Sequence, residues 1–208
     1  MKTPFDYRLY VITDGQAHLL SRLEEILKGG ATCVQYREKT KPFHEMVKEA
    51  TQIKQLCHAY DVPLFINDHI ELAKEIQADG LHLGQGDATL IEAKKILGDL
   101  PIGISADDVA QAQEAEKNGA AYVGVGALFP TASKPDATIV SFETAAAIKK
   151  SIDIPMLLIG GITLERAKNI SVPYDGLCFI SELFLAQNKT DKTRQLKDWL
   201  MKAVEKPT

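Results

Sequence analysis

A chain of 208 residues with 45% hydrophobic and 25% charged side chains has the composition of a globular protein and the length for one sizeable core, which makes a single domain the expectation. The formal net charge of -4 removes any electrostatic reason to expect nucleic acid or an anionic membrane as a partner, although a local basic pocket stays compatible with it. Three cysteines, Cys33, Cys57 and Cys178, are odd in number and never spaced as CxxC, which argues against a disulfide framework or a zinc site; with no apolar run long enough for a bilayer, a cytoplasmic location is expected.

The predicted elements alternate from the start. Residues 7–13 read as a strand. They precede a helix over 19–28, in which Leu19, Leu20, Leu23, Ile26 and Leu27 recur at helical spacing with Arg22 and Glu25 between them. Strands follow over 33–37, 63–67, 80–83, 102–105, 122–126, 156–159 and 176–180. The helices after them are expected over 43–60, 70–77, 90–97, 109–118, 142–150 and 164–170, with 193–204 closing the chain on an apolar face that includes Leu196 and Trp199. Runs such as LYVI, PLFI and PMLLI are nearly continuous hydrophobics, as parallel strands covered on both faces require. Gly98 and Gly119 stand as helix stops, and Pro63, Pro101 and Pro155 stand where strands begin.

Eight βα units of roughly 26 residues each predict an α/β fold, a single-domain (β/α)8 TIM barrel near the lower limit of its size. An open doubly wound sheet is the rival, but no GxGxxG follows the first strand. In such barrels the reactive groups lie at the C-terminal ends of the strands, so those positions carry the functional signal. Arg37, Lys39 and Lys134 come from two loops to one mouth. Each alone could be a solvated surface charge, but together they suit a polyanion. Asp68 and Asp87, on adjacent strand ends beside Asn67, suit a Mg2+ that takes its other ligands from water and phosphate; both could instead cap the following helices. Gly160-Gly161 and Ile180-Ser181 mark a second anion site, in loops where barrels often bind phosphate at a helix start, though such a glycine pair also makes a simple turn. His82 lies inside the fourth strand and reads as a packed barrel residue, and no GxSxG elbow is present.

The segments LYVITD, VQYREK, INDHIELAKEIQADGLHLGQGD, IGIS, YVGVGALFPTASK, IGGI and DG-x4-S occur in an order that resembles the thiamin-phosphate synthase family over nearly the whole chain. The resemblance implies a TIM barrel that condenses hydroxymethylpyrimidine diphosphate with a thiazole phosphate, releases pyrophosphate and uses Mg2+ as cofactor. Carried over by position, it implies that Gln35, Tyr36, Arg37, Glu38, Lys39, Asn67, Ser105 and Lys134 bind the pyrimidine diphosphate, with Arg37, Lys39, Lys134 and Ser105 closest to catalysis. Thr131, Ala132, Ser133, Gly161, Ile180 and Ser181 would hold the thiazole phosphate, and Asp68 and Asp87 the Mg2+. Partners are then small-molecule substrates, with a homo-oligomer left open. Three departures stand out: Tyr36 replaces an aliphatic residue, Ser133 a frequent threonine, and Ala106-Asp107 follows Ser105 where many members have a histidine-containing stretch. The alternatives are a thiazole tautomerase of the paralogous branch, against which Arg37, Lys39, Asp68, Asp87 and Lys134 argue, and a non-catalytic phosphate-ligand sensor.

Overall fold

The computed structural model describes residues 5–131 and 138–204. Eight parallel strands close into a barrel in chain order: β1 (Leu9–Ile12), β2 (Cys33–Tyr36), β3 (Leu64–Asn67), β4 (Gly80–Leu83), β5 (Ile102–Ala106), β6 (Tyr122–Val125), β7 (Met156–Leu158) and β8 (Gly176–Phe179). Closure is made by β1 and β8, with Tyr10 opposite Cys178. Around them lie α1 (Leu19–Gly29), α2 (Phe43–His58), α3 (Ile70–Glu75), α4 (Leu90–Leu97), α5 (Val109–Lys117), α6 (Phe142–Ser151), α7 (Leu164–Ala167), α8 (Ser181–Phe184) and α9 (Lys189–Val204). The expected TIM barrel is therefore the observed one.

Two-residue alternation along each strand divides the apolar residues into two cores. Leu9 and Val11, Val34 and Tyr36, Leu64 and Ile66, and Val123 and Val125 point outward into the layer between sheet and helices. Tyr10, Ile12, Cys33, Phe65, Tyr122, Leu157 and Cys178 fill the inside. Glycines make room for the inner aromatics: a Cβ on Gly103 would stand 2.1 Å from the Tyr122 ring, and one on Gly80 would stand 2.1 Å from Phe65. Tyr7 and Tyr122 meet at 4.9 Å between centroids and Phe65 and Tyr122 edge to face at 5.8 Å. Each such pair adds about 0.5–1.5 kcal/mol beyond its area burial, so the lower barrel is a rigid aromatic floor beneath the mouth.

Helix starts settle which polar residues are caps. The Thr89 side chain accepts from Glu92 N–H in a capping box at α4, and Asp108, Ser141 and Thr163 cap α5, α6 and α7. At α3 the N-cap is His69, with no side-chain bond. Neither Asp68 nor Asp87 caps a helix, so the capping alternative falls. Two helical features differ from expectation. The four-residue α8 was not anticipated, and α9 starts at Lys189 because Asn188 Oδ1 accepts the Asp191 N–H at 3.0 Å, a polar first turn with no apolar period to reveal it.

Candidate active site

The C-terminal strand ends surround a cavity of about 750 Å³. Gln35, Arg37, Lys39, Asn67, Asp68, Asp87, Ser105, Thr131, Gly161, Ile180 and Ser181 all line it, so eleven of the expected site residues meet in one place. Ala132, Ser133 and Lys134 lie outside the described residues.

Two expectations change. Tyr36 alternates outward from Gln35: its side chain is buried in the outer core, and its hydroxyl donates to Glu49 Oε2 of α2 at 2.7 Å. It cannot reach the cavity, and its departure from the family pattern is a matter of sheet–helix packing. Glu38 is buried as well and is absent from the cavity wall. Its Oε1 accepts the Lys39 N–H at 2.7 Å, the Thr40 N–H at 2.8 Å and the Thr40 hydroxyl at 2.9 Å. Burial pulls its pKa up, but the Thr40 and Lys39 hydrogen bonds outweigh burial and hold it at about 2. Glu38 therefore shapes the loop that carries Arg37 and Lys39. From the other side Thr13, 1% exposed at the end of β1, clamps the same loop by accepting the Arg37 N–H at 2.8 Å and donating to the Arg37 carbonyl at 3.2 Å.

Next to the β2 loop, one residue past the end of β3, Asp68 sits in the left-handed region at φ 62 with its N–H donating to the His82 carbonyl at 2.8 Å. A non-glycine residue in that region is uncommon, and such outliers gather at functional sites. Lys39 Nζ pairs with Asp68 Oδ2. Asp87 Oδ2 accepts the Gly84 N–H at 2.7 Å, folding the Gly84–Gln85–Gly86 turn. Asp68 and Asp87 face one another. Burial and the neighbouring Asp68 carboxyl raise the pKa of Asp87; for Asp68, burial is outweighed by the hydrogen bond from Asp87 and by Lys39, and its pKa is lowered. Two carboxyls set together in this way call for a proton or a cation between them. Among the described residues no third histidine, cysteine, aspartate or glutamate joins them in a metal cluster. A pair of carboxylates fits Mg2+, which is usually held by one or two and fills its octahedron with water and substrate phosphate.

His82, read from sequence as a packed barrel residue, is packed and also reaches the cavity. Its ring stacks on Tyr122, with Nδ1 3.1 Å from the Tyr122 hydroxyl and Nε2 3.1 Å from Ser105 Oγ. Burial lowers its pKa to about 4 against a smaller opposing pull from Asp68, so the ring is neutral near neutral pH. On the opposite wall Gly160 and Gly161 have φ of 100 and 60, turning the backbone where a side chain is disfavoured. The helices there, α7 and α8, have only four residues each, so backbone and hydroxyl groups rather than a long helix dipole furnish this wall. Arg166, missed from sequence, also lines it: Nη1 donates to the Gly161 carbonyl at 2.6 Å and the guanidinium lies 5.1 Å from the Phe129 ring centroid. Its signal was its position two residues into the helix after IGGI.

Residues 9–183 match the family model described as Thiamine monophosphate synthase. A thiamine-phosphate synthase of Clostridium acetobutylicum is 44% identical over 95% of this chain and 96% of its own length. One of Ruminiclostridium cellulolyticum is 45% identical over 80% of this chain and 82% of its own. Among solved structures, a thiamine phosphate pyrophosphorylase from Pyrococcus furiosus superposes with a TM-score of 0.88 at 35% identity, covering 96% of this chain and 98% of that one.

Proposed function

This chain belongs to the thiamine monophosphate synthase family and is a transferase of thiamine biosynthesis, and from that premise we propose that its barrel mouth joins hydroxymethylpyrimidine diphosphate to a thiazole phosphate, releasing thiamin phosphate and pyrophosphate. The observation that supports the reading is the division of one cavity into two chemically unlike walls, each with groups suited to an anion. Arg37, Lys39, Asp68 and Asp87 form a wall of paired charges, and Gly160, Gly161, Ile180 and Ser181 form a wall of backbone and hydroxyl groups with the Arg166 guanidinium as its cation. Two phosphorylated substrates of different charge require two such places.

The bond between the pyrimidine methylene carbon and the diphosphate oxygen breaks heterolytically, and its electron pair leaves with pyrophosphate. The exocyclic amino group spreads the resulting positive charge. The thiazole nitrogen then donates its lone pair to that carbon and forms the new C–N bond. No proton has to move in either step, in keeping with a mouth whose inner imidazole is neutral. The protein's work is placement and charge. Arg37 and Lys39 meet the growing charge of the leaving group, with Lys134 assigned to the same task by resemblance alone, while Gln35 and Ser105 hold the ring end. Asp68 and Asp87 would hold a Mg2+, which when bound neutralises the diphosphate. Apolar side chains such as Ile12 and Ile159 in the wall limit water near the cation.

The test is to incubate the purified chain with both substrates and Mg2+ and follow products by mass spectrometry. Equal amounts of thiamin phosphate and pyrophosphate are expected, and none in excess EDTA. No coupling with metal present would refute the proposed reaction, and full turnover in EDTA would refute the metal assignment.

A further inference from the structure

Beneath the mouth, five polar side chains form a continuous hydrogen-bonded chain through the barrel interior. Gln35 Nε2 lies 3.1 Å from Tyr10 Oη, which is 2.8 Å from Tyr122 Oη. Tyr122 Oη is 3.1 Å from His82 Nδ1, and His82 Nε2 is 3.1 Å from Ser105 Oγ. Tyr10 and Tyr122 are each 1% exposed, so water cannot supply or remove a proton along the way.

We propose that this chain runs in one direction and makes Ser105 a hydrogen-bond donor to the ligand, with Tyr10, Tyr122 and His82 acting as positioning residues. The direction is set at the buried end. An amide nitrogen only donates, so Gln35 gives a hydrogen to Tyr10 Oη. Tyr10 has one proton, and it goes to the Tyr122 oxygen at 2.8 Å rather than to the neighbouring Cys33 thiol, a weak acceptor. Tyr122 in turn donates to His82 Nδ1. A neutral imidazole whose Nδ1 accepts must bear its hydrogen on Nε2, and that hydrogen goes to Ser105 Oγ. The Ser105 proton is left for the cavity, which Ser105 lines. The group seated against Ser105 must then be an acceptor, such as an unprotonated heteroaromatic ring nitrogen; a ring N–H there would set two donors against each other. Neighbouring residues hold the ring in place: Gly124 is bare opposite His82, where a Cβ would stand 3.2 Å from Cε1.

Only the identity of the ligand at Ser105 rests on the proposed reaction; the direction of the chain does not. The test is therefore made on the ligand-free full chain, by two-bond 1H–15N correlation of the histidine rings near neutral pH, His82 being assigned by its loss in His82→Asn. The expected result is a single neutral tautomer with Nε2 protonated, and Nδ1 protonation or a rapidly exchanging mixture would overturn the proposal without any variant being needed. Gln35→Glu puts an acceptor at the buried end and should invert the chain, moving the proton to Nδ1 while the other four histidines keep their signals. Tyr10→Phe cuts the chain, so the same Glu in that background should no longer change the tautomer. Inversion persisting in the double variant, or no inversion in the folded single variant, would overturn it. A chain with the expected tautomers but no thiamin phosphate formation would leave this inference standing and remove the proposed reaction instead.

Discussion

Replacing Glu38 by glutamine removes one charge from beneath the cationic loop while keeping a side chain of the same size. The carboxylate is held from an ordinary 4.5 down to about 2, because hydrogen bonds from Thr40 and Lys39 outweigh the cost of burial. A displacement of that size corresponds to roughly 3 kcal/mol of stabilisation of the folded state, and with the side chain only 4% exposed there is little solvent screening to reduce it. The sign follows from the depressed pKa. The contribution is complete above the unfolded value near 4.5 and is lost as pH falls through that value toward about 2. Urea unfolding of the native chain and of Glu38→Gln, compared across this range, should give a difference of roughly 1–3 kcal/mol near neutrality, since glutamine retains one neutral acceptor. That difference should shrink steadily below about pH 4.5. A constant difference at all pH values, or none at neutrality, would refute the claim that the charge of Glu38 organises the loop.

Asp87→Ala should abolish most coupling activity yet move Tm by only a few degrees, because Thr89 and not Asp87 caps α4; thermal unfolding with activity per folded molecule separates the two effects. Tyr36→Phe should leave both KM values unchanged and cost about 1 kcal/mol in stability, read by denaturant titration, through loss of the hydrogen bond to Glu49. Gly103→Ala should destabilise by roughly 1–3 kcal/mol or more, since the new methyl would overlap the Tyr122 ring; wild-type stability in that variant would contradict the packing of the inner floor.

The barrel was legible because parallel strands covered on both faces leave continuous apolar runs, and because eight of them alternating with helices in this length leave few other folds. The charged wall was legible for a related reason: Arg37, Lys39, Asp68 and Asp87 follow strand ends, which one face of the barrel must bring together. Tyr36 and Glu38 were misjudged because a family segment was carried over whole, whereas strand alternation sends Tyr36 outward, and Glu38 turns under its own loop to bond successive N–H groups. The same alternation places Gln35 and His82 inward. What sequence could not disclose is the bonding from Gln35 to Ser105, whose members come from five strands and meet only when the barrel closes. Thr13 and Arg166 escaped because a threonine ending a strand and an arginine opening a helix are ordinary until their partners are known.

The most direct test of the two-wall account is steady-state kinetics of Arg37→Ala and Ser181→Ala with each substrate varied in turn. Arg37→Ala should lower kcat by roughly a hundredfold, about 3 kcal/mol of transition-state stabilisation, with little change in KM for the thiazole phosphate. Ser181→Ala should raise KM for the thiazole phosphate and leave kcat near the native value, because the hydroxyl serves uniform binding. Unaltered kcat in Arg37→Ala, together with a Ser181→Ala defect confined to the pyrimidine diphosphate, would contradict the assignment of the two walls.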